Sequence, residues 1–91
     1  MLTASRLDAM TPEERGDLFF SMAVEWYGTT RFKTVISNDL SVTRPTVHNW
    51  MNSGGSIPYA VLMLLDAWLE RRRLGESLNQ LAADLLPAAA A

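Results

Sequence analysis

Cysteine is absent from the chain, which removes disulfides and thiolate metal ligands and fits a reducing compartment without requiring one. Histidine occurs once, as His48, so an imidazole-built metal site has no second ligand of its kind. No apolar run approaches the roughly 20 residues of a membrane span, and the first ten residues lack the apolar core of a signal peptide. Positive charge is also scarce: eight Lys and Arg stand against ten Asp and Glu, a net charge of −2. Such a balance counts against nucleic acid unless the few cations are concentrated on one face. A nucleophile paired with a base is missing as well. Glu13 and Glu14 have no catalytic partner nearby, and Gly54-Gly55 lacks the Lys and the preceding strand of a phosphate-cradling loop. The reading is therefore a non-enzyme with no cofactor and no metal.

What the chain does have is apolar content. Of its 91 residues 48% are hydrophobic, three of them Trp, too many for a disordered chain and enough for a single small domain. The periodicity is helical throughout, with no strand alternation and no internal repeat. Thr11-Pro12-Glu13-Glu14 carries a capping threonine, a proline suited to a first helical turn and a glutamate three residues after the cap. It predicts a helix over 12–27, with Leu18, Phe19, Met22, Ala23, Trp26 and Tyr27 on one face and Gly28 as its stop. Thr29 and Thr30 are candidate caps for a second, short helix with Phe32, Val35, Ile36 and Leu40 inward. Thr43 is the candidate cap of a third helix that buries Val47 and Trp50 and ends near 52; Pro45 is tolerated because it falls in the first turn. After a loop at 53–56, a Leu-rich helix is predicted over 58–73. Gly75 then breaks or bends it, and a last short helix carries Leu78, Leu81, Ala82 and Leu85 before a frayed tail from Pro87. The fold class is all-α: a compact bundle of four to five helices. Residues 1–10 are read as a flexible N-terminus, 11–74 as the main domain, and 75–91 as a C-terminal helix and tail that could serve oligomerisation.

The second and third helices, joined by a short turn, have the spacing of a helix-turn-helix. Two helices crossing steeply need a small side chain at the closest approach, here Ser37, and apolar residues in the angle, here Ile36, Leu40, Val42, Val47 and Trp50. Thr43, Arg44, Pro45, His48, Asn49 and Asn52 are left outside, polar groups of the types that meet base edges and phosphates. The three tryptophans are assigned to the core by their phase. His48 is either a solvated surface residue or a contact to DNA. Arg71-Arg72-Arg73 is read as a cationic helix end complementing the dipole, with phosphate contact as the alternative.

The segment "LSVTRPTVHNWMNSGGSIP" resembles the pattern of the Cro and lambda-repressor (XRE-like) family of phage-type helix-turn-helix regulators, through Leu40, Val42, Thr43, Arg44, Thr46, Val47, Trp50 and Pro58. The Leu-rich run that follows is similar to that of the lysogeny activators of lambda-type phages. Where the family usually has glycine in the turn, this chain has Ser41. The resemblance covers about residues 30–70 and implies that the third helix enters a major groove by its N-terminal part. Arg44 is then the first candidate for a guanine or phosphate contact and Asn49 for adenine, with His48 and Asn52 beside them. Thr43 and Thr46 would meet the backbone, and Arg31 and Lys33 a phosphate strand. Arg31, Lys33 and Arg44 face only Asp39 between residues 29 and 58, whereas the first helix is acidic.

The implied function is a sequence-specific DNA-binding regulator of transcription, acting on double-stranded DNA as a dimer or higher homo-oligomer because one copy carries so few cations. RNA polymerase is a possible further partner. The expected location is the cytoplasm, on the nucleoid, with no membrane involvement. Two other readings remain: a protein-interaction module that keeps the fold without DNA binding, and a DNA-binding subunit of a recombination or packaging complex.

Overall fold

In the computed structural model, which describes residues 1–52 and 57–85, the described residues form five helices and no strand: α1 (Ala4–Asp8), α2 (Pro12–Tyr27), α3 (Lys33–Leu40), α4 (Arg44–Asn52) and α5 (Tyr59–Leu85). The expected loop at 53–56 and the tail from Pro87 lie outside the described residues. No described helix is long and apolar enough to cross a membrane.

α2 is bounded where its sequence signals stand. The Thr11 hydroxyl accepts from the Glu14 amide at 3.1 Å while the Glu14 carboxylate accepts from the Thr11 amide at 3.0 Å, and Gly28 closes the helix at φ 72°. These bonds satisfy donors that an α-helix otherwise leaves open at its first turn. They also hold the Glu14 carboxyl below its ordinary pKa, the Thr11 backbone bond first among the causes.

The first ten residues are not the flexible lead-in that their composition suggests. Thr3 caps α1 by accepting from the Arg6 amide, and Leu7 is fully buried. The Leu2 amide donates to Asp66 of α5 at 2.8 Å, and the Tyr59 hydroxyl donates to Asp8 at 2.6 Å. Arg15 of α2 donates to the carbonyls of Leu7 and Met10. Every tie except the cap reaches a residue outside α1, so the local pattern could not announce it.

Three further expectations are corrected. Thr29 and Thr30 do not cap the second helix: Thr29 accepts from the Arg31 amide within a tight turn, and α3 starts at Lys33 with Phe32 preceding it and no side-chain cap. Val35 is not in the buried row but 46% exposed. Phe32, Ile36 and Leu40, spaced by four, carry the packing, and Val35 is turned about 100° from Ile36. Gly75 does not interrupt α5, which runs unbroken for 27 residues. Glycine within a helix costs only about 1 kcal/mol relative to alanine, and the strong helix formers around it outweigh that.

The core is one cluster drawn from all five helices: Leu7, Phe19, Met22, Ala23, Phe32, Ile36, Val47, Trp50, Ile57, Leu62, Leu65 and Leu69. Phe19 stands at its centre, edge-on to Phe32 at 6.0 Å and to Trp50 at 5.7 Å, the geometry that aromatic quadrupoles favour. Trp26 and Trp68 pack together at 5.4 Å at the rim.

Because α5 continues past residue 73, Arg71–Arg73 are not at a helix end and do not serve its dipole. Arg72 instead donates to the carbonyls of Glu25 and Trp26 at 3.1 and 2.7 Å, which belong to the last turn of α2 and lack partners in their own helix. Its guanidinium lies 4.0 Å from the Trp26 ring centre, a cation–π contact. Arg73 pairs with Glu25 and Glu70.

Candidate nucleic-acid interface

α3 and α4 are joined by the turn at Ser41, Val42 and Thr43, and each residue of the turn has a physical job. Ser41 lies in the left-handed region at φ 55°, ψ 42°, and Gly28 is the other described residue with positive φ. The conformation costs a side-chain-bearing residue about 1–2 kcal/mol, which explains why glycine is common at such a corner. The Val42 amide donates to the Ser37 carbonyl at 2.9 Å, closing the end of α3. Thr43 accepts from the Thr46 amide at 3.3 Å and so caps α4, as its position after the turn predicts. Ser37 is buried at 5% exposure, its hydroxyl donating to the Thr34 carbonyl at 2.8 Å, so the small side chain enters the interhelical angle with its polar group satisfied.

Val47 and Trp50 anchor α4 in the core, and this fixes what the helix turns outward. Thr43, Arg44, Pro45, His48, Asn49 and Asn52 are all exposed, while Thr46 is half-buried. Arg44, Pro45, His48 and Asn49 line a shallow groove together with Lys33 from α3. An adjoining depression is lined by Thr30, Arg31, Lys33, Thr34 and Arg44. Lys33 and Arg44 border both, so the two form one continuous surface. Thr43 and Thr46 stand apart from it, with their hydroxyls 2.8 Å from each other. Asn52 lies one turn beyond the groove.

His48 is tied down on both sides. The Lys33 ammonium is 3.2 Å from its Nδ1, and the Asn52 side-chain nitrogen Nδ2 is 2.7 Å from its Nε2. An ammonium can only donate, so Nδ1 must carry a lone pair. The Asn52 nitrogen is a second donor and a neutral imidazole has one ring lone pair, so the Nε2–H form that Lys33 selects requires the Asn52 amide to turn its oxygen toward Nε2. His48, Lys33 and Asn52 thus form a chain across the outer face of α4 that holds Lys33 against the groove lined by Arg44, Pro45 and Asn49.

Thr30 and Thr34 belong to this surface although their sequence positions suggested a helix cap and no role, respectively. Hydroxyls on a helix entry carry no distinctive pattern. The single acid of the segment, Asp39, lines neither depression: it accepts from the Tyr27 hydroxyl at 2.7 Å. Burial first, then this bond and the carboxylate charge, push the Tyr27 pKa upward. α3 begins without a side-chain cap, so its first amides and the positive end of its dipole lie beside Arg31 and Lys33. Compared with protein-family models, with curated proteins and with solved structures, the chain matches none.

Proposed function

We propose that the protein is a sequence-specific, double-stranded-DNA-binding transcriptional regulator that reads the major groove with α4 and acts as a dimer. The observation that carries this reading is the single continuous groove in which Arg31, Lys33, Arg44, His48 and Asn49 converge, on a helix whose opposite side is pinned by Val47 and Trp50. A rigid helix presenting an arginine and an asparagine, both capable of bidentate base contacts, is what base-edge readout needs. The exposed start of α3 and its cations supply phosphate contacts. Three cations per copy give only a weak electrostatic hold, and two copies on paired half-sites about 34 Å apart compensate. In this reading the protein resides on the nucleoid, and RNA polymerase is a candidate partner.

The test is enrichment of bound genomic fragments followed by salt titration on the best one. A recurrent inverted repeat is expected, with Arg44→Ala losing about 1–3 kcal/mol on it and relaxing the preference at one base position. Arg31→Ala is expected to weaken all sequences alike and to lower the salt slope by roughly one for each phosphate that Arg31 neutralises. A wild-type chain that binds no DNA at low salt, or one indifferent to Arg44→Ala, would make the same face a protein-docking surface. Co-purification with polymerase distinguishes activation through contact from simple occlusion.

A further inference from the structure

α5 has two apolar faces. Leu62, Leu65 and Leu69 point into the core. On the opposite side Leu64, Leu74, Leu78, Leu81 and Leu85 are exposed, at 38, 60, 65, 53 and 70%. Their spacing, from 74 onward four, three and four residues, is the heptad alternation of a coiled-coil seam, and Leu64 and Ala67 extend the same register backwards. From Leu74 on, every described residue of α5 except Gly75 is exposed. The helix therefore leaves its own body and continues for about three turns, a length that is marginal as a lone helix in water. A lone helix gains nothing from a leucine row; a paired one does.

We infer that the part of this row from Leu74 to Leu85 is a self-association seam, occupied by the same segment of a second copy of the chain running antiparallel. The heptad repeat asks for another helix with the same repeat, and α5 supplies it. Charge selects the orientation. Arg71 occupies a seam position, is exposed and makes no ion pair among the described residues, and a parallel pair would place it against its own copy. In the antiparallel register Leu74 meets the partner's Leu85 and Leu78 meets the partner's Leu81, about a two-fold axis between Asn79 and Gln80. Gly75 then lies level with the partner's Asp84, which brings Arg71 within one helical turn of that carboxylate. Gly75 and Ala82, small residues flanking the leucines, let the helices approach closely. The two bodies sit at opposite ends of the helix pair rather than colliding side by side. Covering both seams removes on the order of 1,000 Å² from water, the lower bound of a specific interface. The seam specifies the dimer of the reading above but stands on α5 alone, so its test uses no DNA.

Sedimentation of the full chain between about 1 and 100 μM is expected to show a concentration-dependent species of twice 10.1 kDa. Leu78→Glu/Leu81→Glu is expected to be monomeric throughout with the near-ultraviolet signal of the Trp50 core unchanged, since neither side chain touches the body. Asn79→Glu/Ala83→Glu places the same charge on the outer face and is expected to remain dimeric. Arg71→Glu and Asp84→Arg should each weaken the dimer about tenfold, and the two together should restore it. A monomeric wild type, a dimer that survives Leu78→Glu/Leu81→Glu, or equal dissociation by the outer-face pair overturns the seam. Failure of the charge swap to restore binding overturns the antiparallel order.

Discussion

Lys33 and His48 meet across the angle between α3 and α4, Nζ to Nδ1 at 3.2 Å. Residues fifteen apart in sequence are brought together by a three-residue turn, and the contact decides which imidazole nitrogen carries the proton. The expected state of His48 is the Nε2–H tautomer, with the Asn52 amide turned end for end from the arrangement that puts its Nδ2 2.7 Å from Nε2, so that its oxygen accepts. Long-range ¹⁵N–¹H spectra at a pH where the ring is neutral should show a protonated Nε2 and an unprotonated Nδ1. Lys33→Met should mix the tautomers. A dominant Nδ1–H form in the wild type is incompatible with the contact.

Ser41 holds a left-handed conformation that favours glycine. Ser41→Gly is expected to stabilise the protein by about 0.5–1 kcal/mol in urea unfolding, the relief of backbone strain exceeding the greater freedom glycine gives the unfolded chain. Ser41→Val, β-branched and intolerant of positive φ, should destabilise it. A neutral or destabilising glycine variant would show that the turn stores no strain.

Leu7 distinguishes a docked N-terminus from a flexible one. Its side chain is fully buried, and Leu7→Ala is expected to cost about 2–5 kcal/mol through the forgone transfer energy and the cavity left behind. Hydrogen exchange should show protected amides in α1 of the wild type. An effect of a few tenths of a kcal/mol would mean that α1 contributes no packing.

Glu14 links stability to acid. Its folded pKa lies below the ordinary value of 4.5, so the unfolded chain takes up the proton first. The stabilisation is then present above the unfolded value and is lost as the pH falls through the folded one. The stability difference between wild type and Glu14→Gln should be constant from pH 8 to about 6 and shrink below about 4.5, because glutamine fills the same capping role without titrating. A difference independent of pH would remove the charge from the cap.

Much of this molecule was legible residue by residue because the signals are short-range. The Thr11–Glu14 box, the Gly28 stop and the Thr43 cap act within four residues, and each bounds its helix as its chemistry requires. The outward set on α4 was legible for the same reason: once Val47 and Trp50 are placed inside, 100° per residue fixes where Arg44, His48 and Asn49 stand.

The rest depended on contacts between distant parts of the chain. Leu7 as an isolated apolar residue says nothing until the core cluster closes over it, and Asp66 reaches back across sixty-four positions to hold the Leu2 amide. Arg72 looks like an end-of-helix cation until the carbonyls of Glu25 and Trp26 are beside it. The pairing of Lys33 with His48, and the joining of Arg31, Lys33 and Arg44 into one groove, came only with the crossing of α3 on α4. Sequence alone determined the bounds of α2, the cap of α4 and the two faces of α4, since periodicity and hydrogen-bond chemistry are local. Tertiary structure decided where α1 docks, that α5 passes Gly75 unbroken, and which polar groups share a surface, because those outcomes depend on energies exchanged between segments that no window of sequence contains.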